Sequence, residues 1–297
     1  MELFIIAASI ALIIAFLLWW TVRKQRPAPA VPGAGRRLKV ALALGGGAAR
    51  GFAHVGVIRT LEMEKVPIDL IVGTSVGSLI GALYAHHRNS FELEATAFSL
   101  ERDDIFDWGV LGAFKGMGLV KGERLEEFVR KKVSVRNIED LATPFAAVAT
   151  DLNRGVRVVL DKGPLDRAVR ISCALPGVFQ PVEHEGRLLV DGGVIEAVPA
   201  AAARDLGADI VIAVDIGKNV ENFAIDSIID VVLQAYNIES CEKERYKKKA
   251  ADIVISPAVG DVGILDFTQK KRCMEAGIEA TRAALPEIRK LIGETNG

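Results

Sequence analysis

Two short apolar segments each end in a glycine-rich turn and are followed by a helical pattern. Residues 39–44, KVALAL, lead into the glycines of residues 45–47, and residues 69–73, DLIVG, lead into the turn of residues 74–77. A short, continuously apolar run bounded by turn residues is typical of a strand that is buried on both faces. Such strands alternating with helices predict an α/β fold with a largely parallel central sheet.

The alternation continues towards the end of the chain. Further strands are predicted over residues 145–152, 156–160, 187–191, 209–216 and 252–256, and helices over residues 52–64, 77–87, 198–206, 226–250 and 266–292. Hydrophobic residues make up 50% of the 297 residues, which is enough to bury the core of one large domain. Residues 88–140 carry no pattern that favours either helix or strand.

The first segment of the chain differs from the rest. An uncharged, apolar run occupies residues 3–22, and as a helix it would span roughly 30 Å, the thickness of a bilayer's hydrocarbon core. Trp19 and Trp20 stand where an interfacial aromatic belt would lie. A cleaved secretory signal, the alternative, needs positive charge before the apolar run, and only Glu2 precedes it. The segment is therefore predicted to be a retained transmembrane helix.

A basic, proline-rich stretch follows the predicted anchor. Residues 23–37, RKQRPAPAVPGAGRR, have the composition of a semi-extended tether, and one globular domain is predicted over residues 38–297. Because the positive flank lies on the C-terminal side of the apolar run, we expect a single-pass membrane protein whose globular domain faces the cytoplasm.

Charge and cysteine content narrow the class of protein. The formal net charge is −1, which argues against a nucleic-acid-binding protein because such a protein needs a positively charged surface. Cys173, Cys241 and Cys273 are odd in number and widely spaced, so they predict neither a disulfide framework nor a zinc site. We expect a reducing compartment and no metal.

The second turn has the form G-x-S-x-G, with Ser75 between Gly73 and Gly77. A sharp turn from strand to helix places such a serine in a strained conformation with its hydroxyl exposed, and the flanking glycines relieve steric clashes. The start of the helix also favours negative charge near the serine. The alternative is a Ser75 that only caps the helix. The pentapeptide alone leaves a nucleophile and a cap as open alternatives.

The first turn, residues 45–51, could bind phosphate or stabilise an oxyanion. A dinucleotide site would need an acidic residue at the end of the second strand, and Gly73 stands there instead. We therefore favour an oxyanion hole in which N–H groups from Gly46 to Ala48 point at a substrate carbonyl oxygen. Arg50 could bind an acidic head group or pair with a carboxylate, and the sequence does not separate these two roles.

A nucleophilic serine usually has a histidine as its base, but this chain supplies histidine poorly. The last histidine is His184, so none follows Asp191 in the order that a Ser–Asp–His triad requires. Asp191 ends a predicted strand and precedes Gly192 and Gly193, so it could itself be the base. An aspartate has this role only where a dry, apolar site raises its pKa. The alternative is an ordinary Asp-Gly hairpin turn.

Four ordered blocks of sequence resemble the patatin-like phospholipases. They are GGGAARGFAHVGV over residues 45–57, GTSVG over 73–77, RISCALPGVFQPV over 170–182 and DGGVIEAVP over 191–199. The resemblance implies a three-layer α/β/α fold, with residues 38–297 as the catalytic domain. It implies Ser75 as the nucleophile and Asp191 as the base of a catalytic dyad. Matching the family's glycine-rich block are Gly45, Gly46, Gly47, Arg50 and Gly51.

The same resemblance implies a serine esterase that cleaves acyl esters of phospholipids or lysophospholipids in the membrane, with no metal or cofactor. An acyltransferase that uses the same acyl-enzyme is one alternative function. A non-enzymatic, nucleotide-binding membrane module that uses the first glycine-rich turn is another, and a scaffold that has lost activity is a third. Protein partners are not predictable from the sequence.

Overall fold

A computed structural model describes residues 37–107, 120–217, 225, 231, 234, 235, 238 and 250–293 of the protein. Leu38–Gly297 forms one compact unit. The predicted anchor over residues 3–22, and almost all of the tether and of the predicted helix over residues 226–250, lie outside the described residues. In the part of the chain that is described, no helix is both long enough and apolar enough to cross a bilayer.

Strands and helices follow the predicted order closely. The strands are β1 (Val40–Leu44), β2 (Leu70–Thr74), β3 (Phe145–Asp151), β4 (Val156–Leu160), β5 (Val182–His184), β6 (Arg187–Asp191), β7 (Ile210–Val214) and β8 (Ile253–Ile255). The α-helices are α1 (Phe52–Met63), α2 (Val76–His87), α3 (Ser90–Ser99), α4 (Arg102–Ile105), α5 (Glu123–Lys132), α6 (Leu165–Ser172), α7 (Ala200–Asp205) and α8 (Lys270–Leu291). Short 3₁₀ turns cover Ala48–Gly51, Ile138–Asp140, Gly192–Val194 and Phe267–Gln269.

The strands form one sheet in the order β5-β6-β3-β2-β1-β7-β8, and β4 pairs with β3 outside this path. Parallel pairing joins the five neighbouring strands β3, β2, β1, β7 and β8. In contrast, β4, β5 and β6 are antiparallel to their neighbours. The prediction of a largely parallel central sheet is thereby confirmed. In a sheet of this kind, sites form at the carboxyl ends of the parallel strands.

Two strands share one edge of β3 in succession. β2 pairs with β3 up to Thr74, which lies opposite Val148, and β6 takes over with Asp191 opposite Ala149. β4 occupies the other edge of β3 from Ala147 to Asp151. Because a strand has only two edges, β2 and β6 must lie on the same one. The ends of β2 and β6 therefore meet at adjacent positions of the sheet.

Helices cover both faces of the sheet. Successive residues of a strand point to opposite faces, and in β1 Leu42 and Leu44 belong to one core while Ala41 and Ala43 belong to the other. The first core includes side chains of α1, α2 and α8, and the second includes the alanines of α7. The result is the three-layer α/β/α arrangement that the resemblance implied.

Residues 88–140 contain helices α3, α4 and α5, which the sequence analysis did not assign. Local signals for two of them are visible in retrospect. Asn89 caps α3, and its side chain accepts hydrogen bonds from the N–H groups of Phe91 and Glu92 at 3.0 and 3.2 Å. In α5, the buried residues Leu125 and Phe128 stand at helical spacing. Both helices are too short for a window-based periodicity to stand out.

Candidate active site

Ser75 lies in the sharp turn between β2 and α2. Its backbone has φ 54° and ψ −127°, and a positive φ is strained for a residue with a side chain. The Ser75 side chain makes no capping hydrogen bond to α2, so the alternative of a simple helix cap is wrong. The strain is that expected of an exposed nucleophile.

The glycines on either side of Ser75 permit close contacts with the backbone. A Cβ atom on Gly77 would lie 2.2 Å from the carbonyl oxygen of Leu44, at the end of β1. A Cβ atom on Gly73 would lie 2.4 Å from the Cα atom of Ser78, within α2. The turn therefore packs tightly against β1 and its own helix, which explains why only glycine fits at both positions of the motif.

Asp191 ends β6 and is 2% exposed. Its Oδ1 atom accepts a hydrogen bond from the N–H of Gly193 at 2.8 Å. Burial raises the pKa of Asp191 to about 6, and hydrogen bonding from the Gly193 N–H and the Ser75 hydroxyl opposes the rise. The condition that an aspartate base requires, a dry site that raises its pKa, is met here.

The Ser75 hydroxyl lies close enough to the Asp191 carboxyl to lower the pKa of that carboxyl. The buried Oδ2 atom nevertheless accepts no hydrogen bond of ordinary geometry from the described residues. In the absence of substrate, proton-transfer partners often lack such a hydrogen bond, because the contact tightens when the reacting group binds. The fold thus brings the predicted pair together.

The residues after Asp191 form a 3₁₀ turn over Gly192–Val194 rather than a hairpin, so the alternative of an Asp-Gly hairpin is wrong. A Cβ atom on Gly192 would lie 2.3 Å from the carbonyl oxygen of Val148 in β3. The Thr150 hydroxyl donates to the carbonyl oxygen of Asp191 at 3.0 Å. The backbone that follows the Asp191 side chain is therefore held against β3.

The glycine-rich turn over residues 45–51 faces Ser75. A Cβ atom on Gly46 would lie 3.3 Å from the Cβ atom of Ser75. One detail of the predicted oxyanion hole needs correction, because the Gly46 N–H already donates to the carbonyl oxygen of Ala197 at 2.9 Å. The N–H groups of Gly47 and Ala48 donate to no acceptor among the residues that the structure describes. These two N–H groups remain as candidate donors to an oxyanion.

The other members of the turn have structural contacts. The Gly45 N–H donates to the carbonyl oxygen of Val214 at 3.0 Å. Arg50 is buried, and its Nε atom donates to the carbonyl oxygen of Gly47 at 3.2 Å. Arg50 therefore supports the turn from the protein interior. Binding to a lipid head group would require an exposed guanidinium, and that of Arg50 is buried. A Cβ atom on Gly51 would lie 2.2 Å from Val76 Cγ2, so this glycine lets the turn pack on α2.

A family profile described as "Patatin-like phospholipase" matches residues 42–204, more than half of the chain. The chain belongs to the patatin-like phospholipase family. The resemblance that the four sequence blocks predicted is confirmed, and the blocks over residues 45–57, 73–77 and 191–199 contribute to the site described above.

Known relatives of this patatin-like chain are longer proteins. An uncharacterised NTE family protein of Mycobacterium tuberculosis is 39% identical over 199 residues, which cover 67% of this chain and 55% of the relative. Human patatin-like phospholipase domain-containing protein 6 is 37% identical over 186 residues, 61% of this chain and 14% of that protein. The chain therefore spans about half the length of the mycobacterial relative and a small part of the human one.

Among solved structures, VipD from Legionella pneumophila has a similar fold. The TM-score is 0.57, and the match covers 85% of this chain and 67% of VipD at 13% sequence identity. At this level of identity the likeness concerns the fold alone.

The histidines of this patatin-like chain lie elsewhere in the fold. His54 is fully buried in α1, where its Nε2 atom contacts the carbonyl oxygen of Gly45 at 2.7 Å. Burial lowers the pKa of His54 to about 4, so the ring is neutral and donates this hydrogen bond. His86 contacts Ser134 at the far end of α2, and His184 ends β5. The contacts described for these histidines reach neither the Ser75 hydroxyl nor the Asp191 carboxyl.

One polar residue that contacts Ser75 was not predicted from the sequence. Ser172, the last residue of α6, is fully buried and bonds to the Ser75 backbone. Its neighbour Cys173 is buried, and its Sγ atom lies 3.9 Å from the Ser78 hydroxyl. Burial and the nearby Asp191 charge raise the pKa of the Cys173 thiol to about 12. The third family block, which contains both residues, was the available signal.

Proposed function

We propose that this chain is a serine lipid acyl hydrolase, a carboxylic-ester hydrolase that cleaves acyl esters of phospholipids or lysophospholipids through a Ser75–Asp191 dyad. One observation carries the proposal: a strained serine stands beside a buried carboxyl whose pKa is raised to about 6. Membership of the patatin-like phospholipase family supports lipid acyl esters as the substrate class.

The raised pKa makes Asp191 a useful base without a histidine. An aspartate with an ordinary pKa near 3.9 holds a proton too weakly to take one from a serine hydroxyl. With a pKa of about 6 the carboxyl is still ionised at neutral pH, yet it accepts a proton far more readily. The apolar surroundings that raise the pKa also keep bulk water away from the pair.

The proposed cycle has two displacement steps. Ser75 Oγ attacks the acyl carbonyl carbon while Asp191 takes the hydroxyl proton, and the departing alcohol leaves with that proton as the ester C–O bond breaks. Water then attacks the resulting acyl-enzyme, Asp191 takes a proton from the water, and this proton returns to Ser75 as the fatty acid leaves. The N–H groups of Gly47 and Ala48 stabilise the oxyanion in both steps.

The N-terminal end of α2 also stabilises the negative charge of the oxyanion. Ser75 immediately precedes the first residue of this helix, and the start of a helix favours negative charge that develops nearby. The glycine-rich turn and α2 thus approach the reacting carbonyl from two elements, as a preorganised oxyanion hole requires.

Labelling of the full chain with a fluorophosphonate probe tests the proposal. We expect covalent labelling at Ser75, together with release of fatty acid from lysophospholipid in detergent micelles, and loss of both in Ser75→Ala. Ser90→Ala is the matched control, since Ser90 is a buried serine that bonds to Glu62, away from the dyad. Labelling that persists in Ser75→Ala would refute the dyad.

The same acyl-enzyme would also serve an acyltransferase in which a lipid alcohol replaces water. Product analysis with a competing alcohol acceptor separates hydrolysis from transfer. A nucleotide-binding module would use the same glycine-rich turn, in which the Gly46 N–H already bonds to Ala197. Nucleotide binding without probe labelling would nevertheless overturn the hydrolase in favour of that function.

We further propose that residues 3–22 anchor the protein in the membrane as a single span, with the globular domain facing the cytoplasm. The uncharged run and its basic C-terminal flank support this orientation. A reporter fused after residue 297 is expected to be active on the cytoplasmic side only. A reporter active on the opposite side would contradict the orientation.

A further inference from the structure

The C-terminal end of α6 contacts both members of the proposed dyad. The Ser172 hydroxyl accepts a hydrogen bond from the Ser75 N–H, with 2.9 Å between nitrogen and oxygen. Two residues further on, the carbonyl oxygen of Ala174 accepts a hydrogen bond from the Asp191 N–H at 2.9 Å. One short segment thus bonds to the backbone of the serine and to the backbone of the aspartate.

The Ser172 hydroxyl bridges two groups that the sheet leaves without strand partners. β2 ends at Thr74, so the Ser75 N–H has left the regular ladder. Ser172 Oγ accepts from this N–H and donates to the carbonyl oxygen of Val148 in β3 at 2.7 Å. Because Ser172 is fully buried, no water is available to replace it in these two hydrogen bonds.

The strained conformation of Ser75 makes this contact matter for the reaction. At φ 54° the Ser75 backbone is not held by an ordinary energy minimum, so surrounding contacts must fix it. A rotation of this backbone would move the hydroxyl away from the Asp191 carboxyl, whose Oδ2 atom already accepts no hydrogen bond of ordinary geometry from the described residues. A displacement of about 1 Å between reacting groups can lower a rate roughly 100-fold.

We infer that Ser172 is a positioning residue for the proposed reaction: its hydroxyl fixes the backbone of Ser75, and with Ala174 it sets the Ser75 hydroxyl opposite the Asp191 carboxyl. The inference rests on the proposed function. Ser172 touches neither substrate nor oxyanion and acts through Ser75, so its loss lowers the rate of chemistry and leaves substrate binding in place.

A merely structural role makes a different prediction. Ser172→Ala removes one oxygen and keeps the shape of the side chain, so a structural residue would lower the unfolding temperature and leave the rate per folded molecule unchanged. A positioning residue lowers that rate in protein that is still folded. The readouts are therefore the fluorophosphonate labelling rate, kcat and KM for p-nitrophenyl butyrate, and the pH profile, each normalised to the folded fraction.

The test compares Ser172→Ala, Ser172→Cys and Ser90→Ala in the full chain. For Ser172→Ala we expect the labelling rate and kcat to fall about 10- to 100-fold, with KM within about twofold of wild type. The acid limb of the profile should also move to higher pH, because the Ser75 hydroxyl no longer helps to lower the pKa of Asp191. Ser90→Ala should match wild type in all readouts.

Ser172→Cys keeps a weak hydrogen-bonding group of similar shape, so an intermediate rate is expected, and this variant carries the comparison if Ser172→Ala does not fold. Wild-type labelling rates in both Ser172 variants, or an equal loss in Ser90→Ala, would overturn the positioning role and leave the proposed function standing. A wild-type chain that is neither labelled nor active would overturn the proposed function, and the inference with it.

Discussion

Ser75 and Asp191 reach the same point of the sheet by different means. Ser75 is placed by its own neighbours in sequence, because β2 ends one residue before it and α2 begins one residue after it. Asp191 is placed by a distant partner, since β6 pairs antiparallel with β3 and sets Asp191 opposite Ala149. The first position is encoded locally, whereas the second exists only once the sheet has formed. Four predictions test this contrast.

The largest effect is expected for Asp191→Asn. An amide cannot accept the proton of the Ser75 hydroxyl, so kcat/KM should fall roughly 10²- to 10⁴-fold, the usual contribution of a general base. Steady-state kinetics on a soluble ester measure it. Asp151→Asn is the matched control, because Asp151 is a similarly buried aspartate of β3, the strand that β6 joins, and its side chain contacts Asn153 and Arg154 in the following turn. Equal losses in the two variants would refute a special role for Asp191.

Alanine at Gly77 disturbs the turn that holds Ser75, and alanine at Gly192 disturbs the turn that follows Asp191. Each new Cβ atom would lie 2.2 or 2.3 Å from a carbonyl oxygen, of Leu44 or of Val148 respectively. We expect the free energy of unfolding to fall by roughly 1–3 kcal/mol in each variant, as overpacked sites do. Denaturant titration measures the loss. Gly263→Ala is the control, since its Cβ atom would have no neighbour closer than 3.6 Å, and its stability should stay near that of wild type.

Removing the buried charge should stabilise the fold. The pKa of Asp191 rises from 3.8 to about 6 on folding, so the cost of burying the carboxylate is fully present above pH 6 and vanishes below about pH 4. Asp191→Asn should therefore raise the free energy of unfolding at pH 8 by roughly 1–3 kcal/mol. Thermal unfolding at pH 8 and at pH 4 measures the difference. A gain of the same size at both pH values would contradict the assigned cause.

The smallest effect is the pH dependence of the wild-type rate. The base must be ionised, so kcat/KM should fall on the acid side with a midpoint near pH 6, and the rate at pH 5 should be about tenfold below the plateau. A profile of kcat/KM between pH 4 and pH 8 measures the midpoint of this acid-side fall. A midpoint near pH 4 would indicate a solvated carboxylate and would remove the main argument for Asp191 as the base.

The strand, turn and helix around Ser75 were predicted from their own residues. The glycines around Ser75 and the apolar run before it define a strand, a turn and a helix, and the structure has all three within one residue of the predicted bounds. The predicted bounds of the strand that ends at Asp191 were also correct. The turn after it, however, was not separable from a hairpin, because Asp-Gly suits both a hairpin and the 3₁₀ turn that forms.

What the sequence could not predict depends on partners far along the chain. The Gly46 N–H is removed from the predicted oxyanion hole by the carbonyl oxygen of Ala197, and no local pattern records that contact. Ser172 lies in a segment for which the sequence predicted no helix or strand, and its two hydrogen bonds appear only when β3 and Ser75 are placed around it. Long-range hydrogen bonds of this kind appear only with the tertiary fold, whereas periodicity and turn residues act over a few positions.

Because β2 and β6 share one edge of β3, the adjacency of their ends does not depend on the length of the chain that connects the strands. Helices α2, α3, α4 and α5 lie in the connection from β2 to β3, whereas the ends of β2 and β6 are set side by side by their pairing with β3. Insertions or exchanged segments within residues 88–140 leave this strand register unchanged. Divergence among relatives, and redesign in the laboratory, can therefore proceed in that connection while the strand ends that hold Ser75 and Asp191 stay adjacent.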